Sequence, residues 1–233
     1  MGHGHSHTAE IKNPGTHDVS SVWKMAFMAF AVIGLLSFVW LLFKEPERAW
    51  SNFVMNHFYF MSLAIGGLFF AAIQWLTGAM WSAPVRRIAE SFTAYLPIAL
   101  LTLIVLFFGI HTLYHWSHAD AVKGDLILEG KAGYLNTGFF VIRNLVIMGA
   151  WIFFAYKMIG NSLKQDQTKD YGLTMKNRFF APIFLILFAI SYTVMSFDQV
   201  MSLDPHWFST IFGVYCFCLL YTSPSPRDGL LSR

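Results

Sequence analysis

Ser196-Phe197-Asp198-Gln199-Val200-Met201-Ser202-Leu203-Asp204-Pro205-His206-Trp207-Phe208-Ser209-Thr210 separates two strongly apolar runs and carries two carboxylates, a histidine and a tryptophan. A bilayer core of about 30 Å takes roughly 20 apolar residues as a helix. The runs at 25–43, 58–81, 95–114, 138–159 and 179–200 each meet that length, and a sixth starts at Phe208 and is cut short. The chain is 56% hydrophobic and 12% charged, with 24 Phe and 8 Trp. That leaves too little polar sequence to cover five buried helices in water. The predicted fold is therefore all-α: a polytopic transmembrane helical bundle of five complete spans and a truncated sixth. Ionisable groups at the edge of such a span are costly to keep and mark functional positions.

The Lys/Arg distribution sets the expected orientation. With the N-terminus in the cytoplasm, Lys12, Lys24, Arg86, Arg87, Lys157, Lys164, Lys169, Lys176 and Arg178 fall inside. Only Lys44, Arg48, Lys123 and Lys131 fall outside. A cytoplasmic N-terminus follows as the expectation. The leader 1–21 is rich in Gly, His and Ser and is read as disordered, its His-rich run being too floppy for a specific metal site. The polar leader precedes a full-length span with no small-residue cleavage site, so it does not resemble a signal peptide. Cys216 and Cys218 lie in or beside an apolar segment and imply no disulfide framework.

From Cys218 onward the chain reads Cys-Leu-Leu-Tyr-Thr-Ser-Pro-Ser-Pro-Arg-Asp. This resembles the translation of a transposase adapter used in shotgun DNA sequencing. Pro-rich polar sequence cannot complete a span whose backbone must be satisfied internally. The expected organisation is a leader at 1–21, an incomplete membrane domain at 22–217 and a non-native tail at 218–233, the whole being the N-terminal part of a longer protein.

With this orientation the polar residues gather in one leaflet. His57 and Tyr59 open the second span at its outer edge, and His111, Tyr114 and His115 close the third. Arg143 sits about 9 Å into the bilayer at about 1.5 Å per residue. Asp198 ends the fifth span, and Asp204, His206 and Trp207 follow in the loop. The opposite half of the spans reads as almost free of ionisable groups. Arg143 must pair, snorkel or line a wet cavity. Asp198 is its natural counter-ion, either as structural glue or as a proton-accepting carboxylate. His111 and His115, four apart, are expected on one helix face, which suits metal or haem ligation or a hydrogen-bonded proton relay at a wet vestibule. Gly66, Gly67, Ala64, Ala71 and Ala72 permit close helix contacts in the second span. Pro97 and Pro182 are both expected in first helical turns, and 81–87 reads as an interfacial stop. No haem-attachment, iron–sulfur, phosphate-loop or Ser/His/Asp signature is visible.

Tyr134-Leu135-Asn136, Phe139-Phe140, Ile142-Arg143 and the stretch from Ser196 to Gly213 occur in an order that resembles one family. Asn56-His57-Phe58-Tyr59-Phe60 and His111-Thr112-Leu113-Tyr114-His115-Trp116 are similar to it in the matching spans. The family is the second large membrane subunit of alternative complex III, a bacterial quinol:cytochrome c oxidoreductase, within the polysulfide-reductase-like membrane-anchor superfamily. The resemblance covers roughly residues 22–217 of members with about ten spans. It implies a subunit of an oxidoreductase rather than a free-standing enzyme. No cofactor would be bound by this chain, quinol would be the substrate, and haem c and iron–sulfur clusters would sit in partner subunits. Those partners would be a paralogous membrane subunit, an iron–sulfur subunit and a multihaem cytochrome c, together with membrane lipid. The implied sites are Asp198, His111, His115 and Arg143 for proton transfer, and His57, Tyr59, Asp204, His206 and Trp207 for quinol or its vestibule. A secondary transporter, with ionisable groups at the midplane, and a purely structural anchor remain the alternatives.

Overall fold

The computed structural model describes residues 20–79, 83–118 and 122–221; most of the leader and the end of the adapter-like tail lie outside them. Helix α1 spans Ser21–Lys44 and belongs to one compact unit; everything from Glu45 onward belongs to a second. In the second unit α2 spans Pro46–Thr77, α3 Ala83–Phe92 and α4 Leu96–Phe108, with the 3₁₀ turn Thr93–Tyr95 joining the last two. Then come the short helices α5 (Ile110–Leu113) and α6 (Leu126–Lys131), the long α7 (Thr137–Thr168) and α8 (Tyr171–Gln199), and α9 (Phe212–Tyr221). Five helical stretches are long and apolar enough to cross a membrane: α1, α2, Val85–Phe108, α7 and Tyr171–Leu203. No strand occurs among the described residues. The protein is an all-α, multi-pass membrane protein.

Local chemistry explains the helix ends. Pro46 starts α2, where a missing N–H costs nothing, and Gly78 closes it at φ 64°, bonding back to the Gln74 carbonyl. Asn136 caps α7 by accepting from the Phe139 N–H at 2.8 Å, and Asp170 caps α8 through Gly172. In the second unit α8 packs between α2 and α7, and α4 packs against both of them. Small residues set the closest approaches. A Cβ on Gly67 would strike the Ala89 carbonyl of α3, and one on Gly109 would strike the Trp50 ring. Ala64, Ala71 and Ala72 are buried, as the small-residue pattern requires. Trp151 of α7 stacks on Tyr192 of α8 and donates to Ser191 Oγ at 2.8 Å, while the Tyr192 hydroxyl meets Ser62 of α2 at 3.0 Å.

The structure corrects several expectations. Hydropathy marks hydrocarbon, not helix, so the helices overrun the apolar segments. Helix α2 starts at Pro46 and α8 at Tyr171. This leaves Pro97 in a first turn but puts Pro182 in the interior of α8. The third span is the helical rod Val85–Phe108, shifted from 95–114, so Arg86 and Arg87 belong to it rather than to an interfacial stop. Glu90 inside that rod is 4% exposed, so the opposite half of the bundle does hold a buried charge. The last helix starts at Phe212 rather than Phe208 and runs through Tyr221, past Cys218.

Candidate functional site

Asp198 occupies the last turn of α8 and has no solvent exposure. Arg143, in the second turn of α7, meets it as a fork. Its Nε donates to Oδ2 at 2.6 Å and its Nη2 to Oδ1 at 2.7 Å. The Tyr134 hydroxyl donates to Oδ1 at 3.0 Å and Asn144 Nδ2 to Oδ2 at 3.2 Å. Four donors thus fill the acceptor positions of one carboxylate. The guanidinium carbon lies 3.8 Å from the Tyr134 ring centre and 4.5 Å from that of Phe139, so two rings flank the cation. The Arg143 side chain keeps 11% exposure, too little for a snorkelling residue.

The network extends beyond the pair. Gln199 Nε2 donates to Asn144 Oδ1 at 3.1 Å. Carbonyls in the last turn of α8 and just beyond it are taken by side chains. Ser202 Oγ donates to the Asp198 carbonyl, Tyr114 OH to that of Gln199 at 3.0 Å, and Trp116 Nε1 to that of Ser202 at 3.2 Å. Lys131 Nζ donates to the Pro205 carbonyl at 2.6 Å. Beneath these loops Tyr114, Trp116, Leu128 and Phe140 form a small aromatic and aliphatic core with Ile110. Burial, with the Asp198 charge adding to it, pushes the Tyr114 and Tyr134 phenols up, so both stay protonated as donors.

The histidines are placed differently from the sequence reading. The helix containing His111 ends at Leu113, and Tyr114 is extended (φ −106°, ψ 114°), so His111 and His115 do not share a face. His115 opens a 3₁₀ turn, and both side chains are exposed. The residue that meets His111 is His118, whose Nε2 lies 2.7 Å from the His111 carbonyl with the rings 5.8 Å apart. His57 is not at the edge of its helix. It lies eleven residues into α2, 3% exposed, with Nδ1 2.8 Å from Thr102 Oγ1 of α4. No partner for its Nε2 is found among the described residues. Tyr59 points outward at 59% exposure.

Asp204 caps its own turn by accepting from the His206 N–H at 3.2 Å. His206 Nε2 meets Asp125 Oδ2 at 2.5 Å. That bond, reinforced by the Ile127 and Leu128 N–H groups, holds the exposed Asp125 carboxyl below its usual range. Trp207 is half exposed and lies edge-on to Phe212. The loop 122–136 and the stretch 200–211 are therefore joined directly.

The structure brings Arg143 and Asp198 together and joins His206 to the same end, but leaves Tyr59, His111 and His115 at the surface. Sequence reasoning missed Tyr134, Asn144, Gln199 and Lys131 as members. Asn144 and Gln199 had a visible signal, each being a polar neighbour of the paired charge within an apolar run. Among the described residues no three His, Cys, Asp or Glu side chains converge as a metal-ligand set.

The fold and this end together define a class: an all-α, multi-pass membrane protein whose spans are tied at one end by a buried, fully hydrogen-bonded ion pair. Compared with protein-family models and with curated proteins, the sequence finds no match.

Proposed function

We propose that the chain is an integral membrane subunit of a respiratory quinol:cytochrome c oxidoreductase, supporting quinol oxidation and proton transfer at the outer leaflet. The observation that carries the reading is the Arg143–Asp198 fork with its Tyr134 and Asn144 donors, of which Arg143, Asp198 and Tyr134 are among the residues on which the family resemblance rests. A carboxyl whose acceptor positions are filled by four donors is held in one place, which makes Asp198 and Arg143 positioning residues for the loops above them. The exposed groups at this end include His111, His115, His118, Asp204 and His206, and imidazole is the side chain best suited to exchanging protons with water. Quinol, with its hydrophobic tail, would enter from the lipid, and the redox cofactors would be held by the partner subunits.

A purely structural anchor is the second reading, and the saturation of Asp198 favours it. Replacing Asp198 with Asn in the intact complex separates the two. The oxidoreductase reading expects slower quinol-driven cytochrome c reduction with normal assembly, and normal turnover would sink it. Activity lost only in proportion to lost assembly would assign the pair to anchoring.

A further inference from the structure

At the opposite end of the second unit, α3 and α7 enclose a polar cleft of about 450 Å³ lined by Arg86, Arg87, Ser162, Gln165, Asp166 and Lys169. We propose that this cleft binds the phosphate-bearing headgroup of an anionic phospholipid.

The charges on its walls are unequally committed. Arg87 is neutralised: it bonds Glu90 at 2.5 Å, the Asp166 carboxylate, and the Ser162 carbonyl at 3.0 Å. Ser162 Oγ in turn donates to Glu90 at 2.9 Å, so both carboxylates are hydrogen-bonded. Arg86, Arg87 and Lys169 against Glu90 and Asp166 leave one net positive charge at the cleft, and two of the cations are outside the ion-pair cluster. Arg86 reaches only the Ala79 carbonyl, at 3.3 Å, and lies against the Trp75 ring. Its buried Nε has no partner among the described residues, leaving an open donor at the cleft. Lys169, exposed at φ 54°, terminates α7 at the rim, where no ion pair with it occurs among the described residues.

Depth and surroundings argue for a lipid. Helix α7 has 32 residues, about 48 Å at about 1.5 Å per residue, against a hydrocarbon core of about 30 Å. With its apolar stretch in the core, the turns from Ser162 onward stand among the headgroups. Val85, Ile88 and Leu163 are exposed beside the cleft and offer an apolar flank for acyl chains. A basic pocket between spanning helices at that depth is the arrangement that captures acidic headgroups. The shared chemistry is a phosphate group, and free phosphate is the competing source.

The test is native mass spectrometry of the full chain released from mixed phosphatidylglycerol and phosphatidylcholine. One net positive charge predicts about a five-fold preference for retained phosphatidylglycerol. The double variant Arg86→Gln, Lys169→Gln should show a ratio near one, while Arg86→Lys with Lys169→Arg should keep most of it. Equal retention of the two lipids by the unaltered chain would overturn the proposal without any variant. So would an unchanged ratio in a double variant of normal helicity, or loss of the preference in millimolar inorganic phosphate, which would assign the cleft to the free anion.

Discussion

Removing one member of the Arg143–Asp198 pair should cost more than removing both. Arg143→Met leaves a carboxylate with no exposure and only two donors, Tyr134 and Asn144. Breaking a buried pair from one side typically costs about 3–5 kcal/mol. Asp198→Leu strands a guanidinium that retains 11% exposure and a Tyr134 carbonyl at 3.4 Å, so its loss should fall near the lower bound, about 3 kcal/mol. The double variant removes both charges, leaves Asn144 still bonded to the Phe140 carbonyl, and loses chiefly the Tyr134 contact. Its expected loss is about 1–3 kcal/mol, because a well-packed apolar replacement of a buried ion pair is often close to neutral. The coupling between the sites is then at least about 3 kcal/mol. Equilibrium unfolding of the full chain in mixed micelles, followed by tryptophan fluorescence, measures all three losses. If the double loss equals the sum of the single losses within about 0.5 kcal/mol, the pair is not coupled and the reasoning fails.

Gly109→Ala should destabilise by about 1–3 kcal/mol because its new methyl meets the Trp50 ring, whereas Gly149→Ala in α7, with open space around it, should be neutral or stabilising; equal unfolding midpoints for the two would refute this. The Asp125–His206 link gives a pH signature: the folded carboxyl lies below its ordinary value of about 3.9, so its contribution is complete above that value and is lost as pH falls through the lower folded one. Pepsin cleavage within 201–211 should therefore begin only in strong acid, and should lose that threshold and occur throughout the enzyme's acidic working range in His206→Ala; an unmoved profile would mean that the bond does not hold the loop.

The number of spans and the Arg143–Asp198 pairing were legible because charges are rare in apolar runs and each must find a partner. The depth of His57 was not, since the polar turns from Pro46 to Asn56 are helical without being hydrophobic. The same limit hid Glu90: hydropathy stops at a charge, although Arg87 on the same helix and Ser162 of α7 satisfy it. The pairing of His111 with His118 depends on the extended backbone of one residue, Tyr114. Spacing rules for a continuous helix have no way to anticipate that break. Tyr134 and Lys131 act across 64 and 74 positions of chain, a reach set by tertiary packing alone.

Three of the long-range contacts that seal the end of α8, from Tyr114, Trp116 and Lys131, fall on main-chain carbonyls. Main chain is the same whatever side chain it carries. The Pro205 acceptor can therefore change its side chain without loosening the seal, whereas Gln199 and Ser202 are also tied through their own side chains, to Asn144 and to the Asp198 carbonyl. Tolerance to substitution at this end of the protein should thus be lopsided, permissive at position 205 and strict at the donors Tyr114, Trp116 and Lys131, which cannot be exchanged for residues lacking an N–H or O–H at that length.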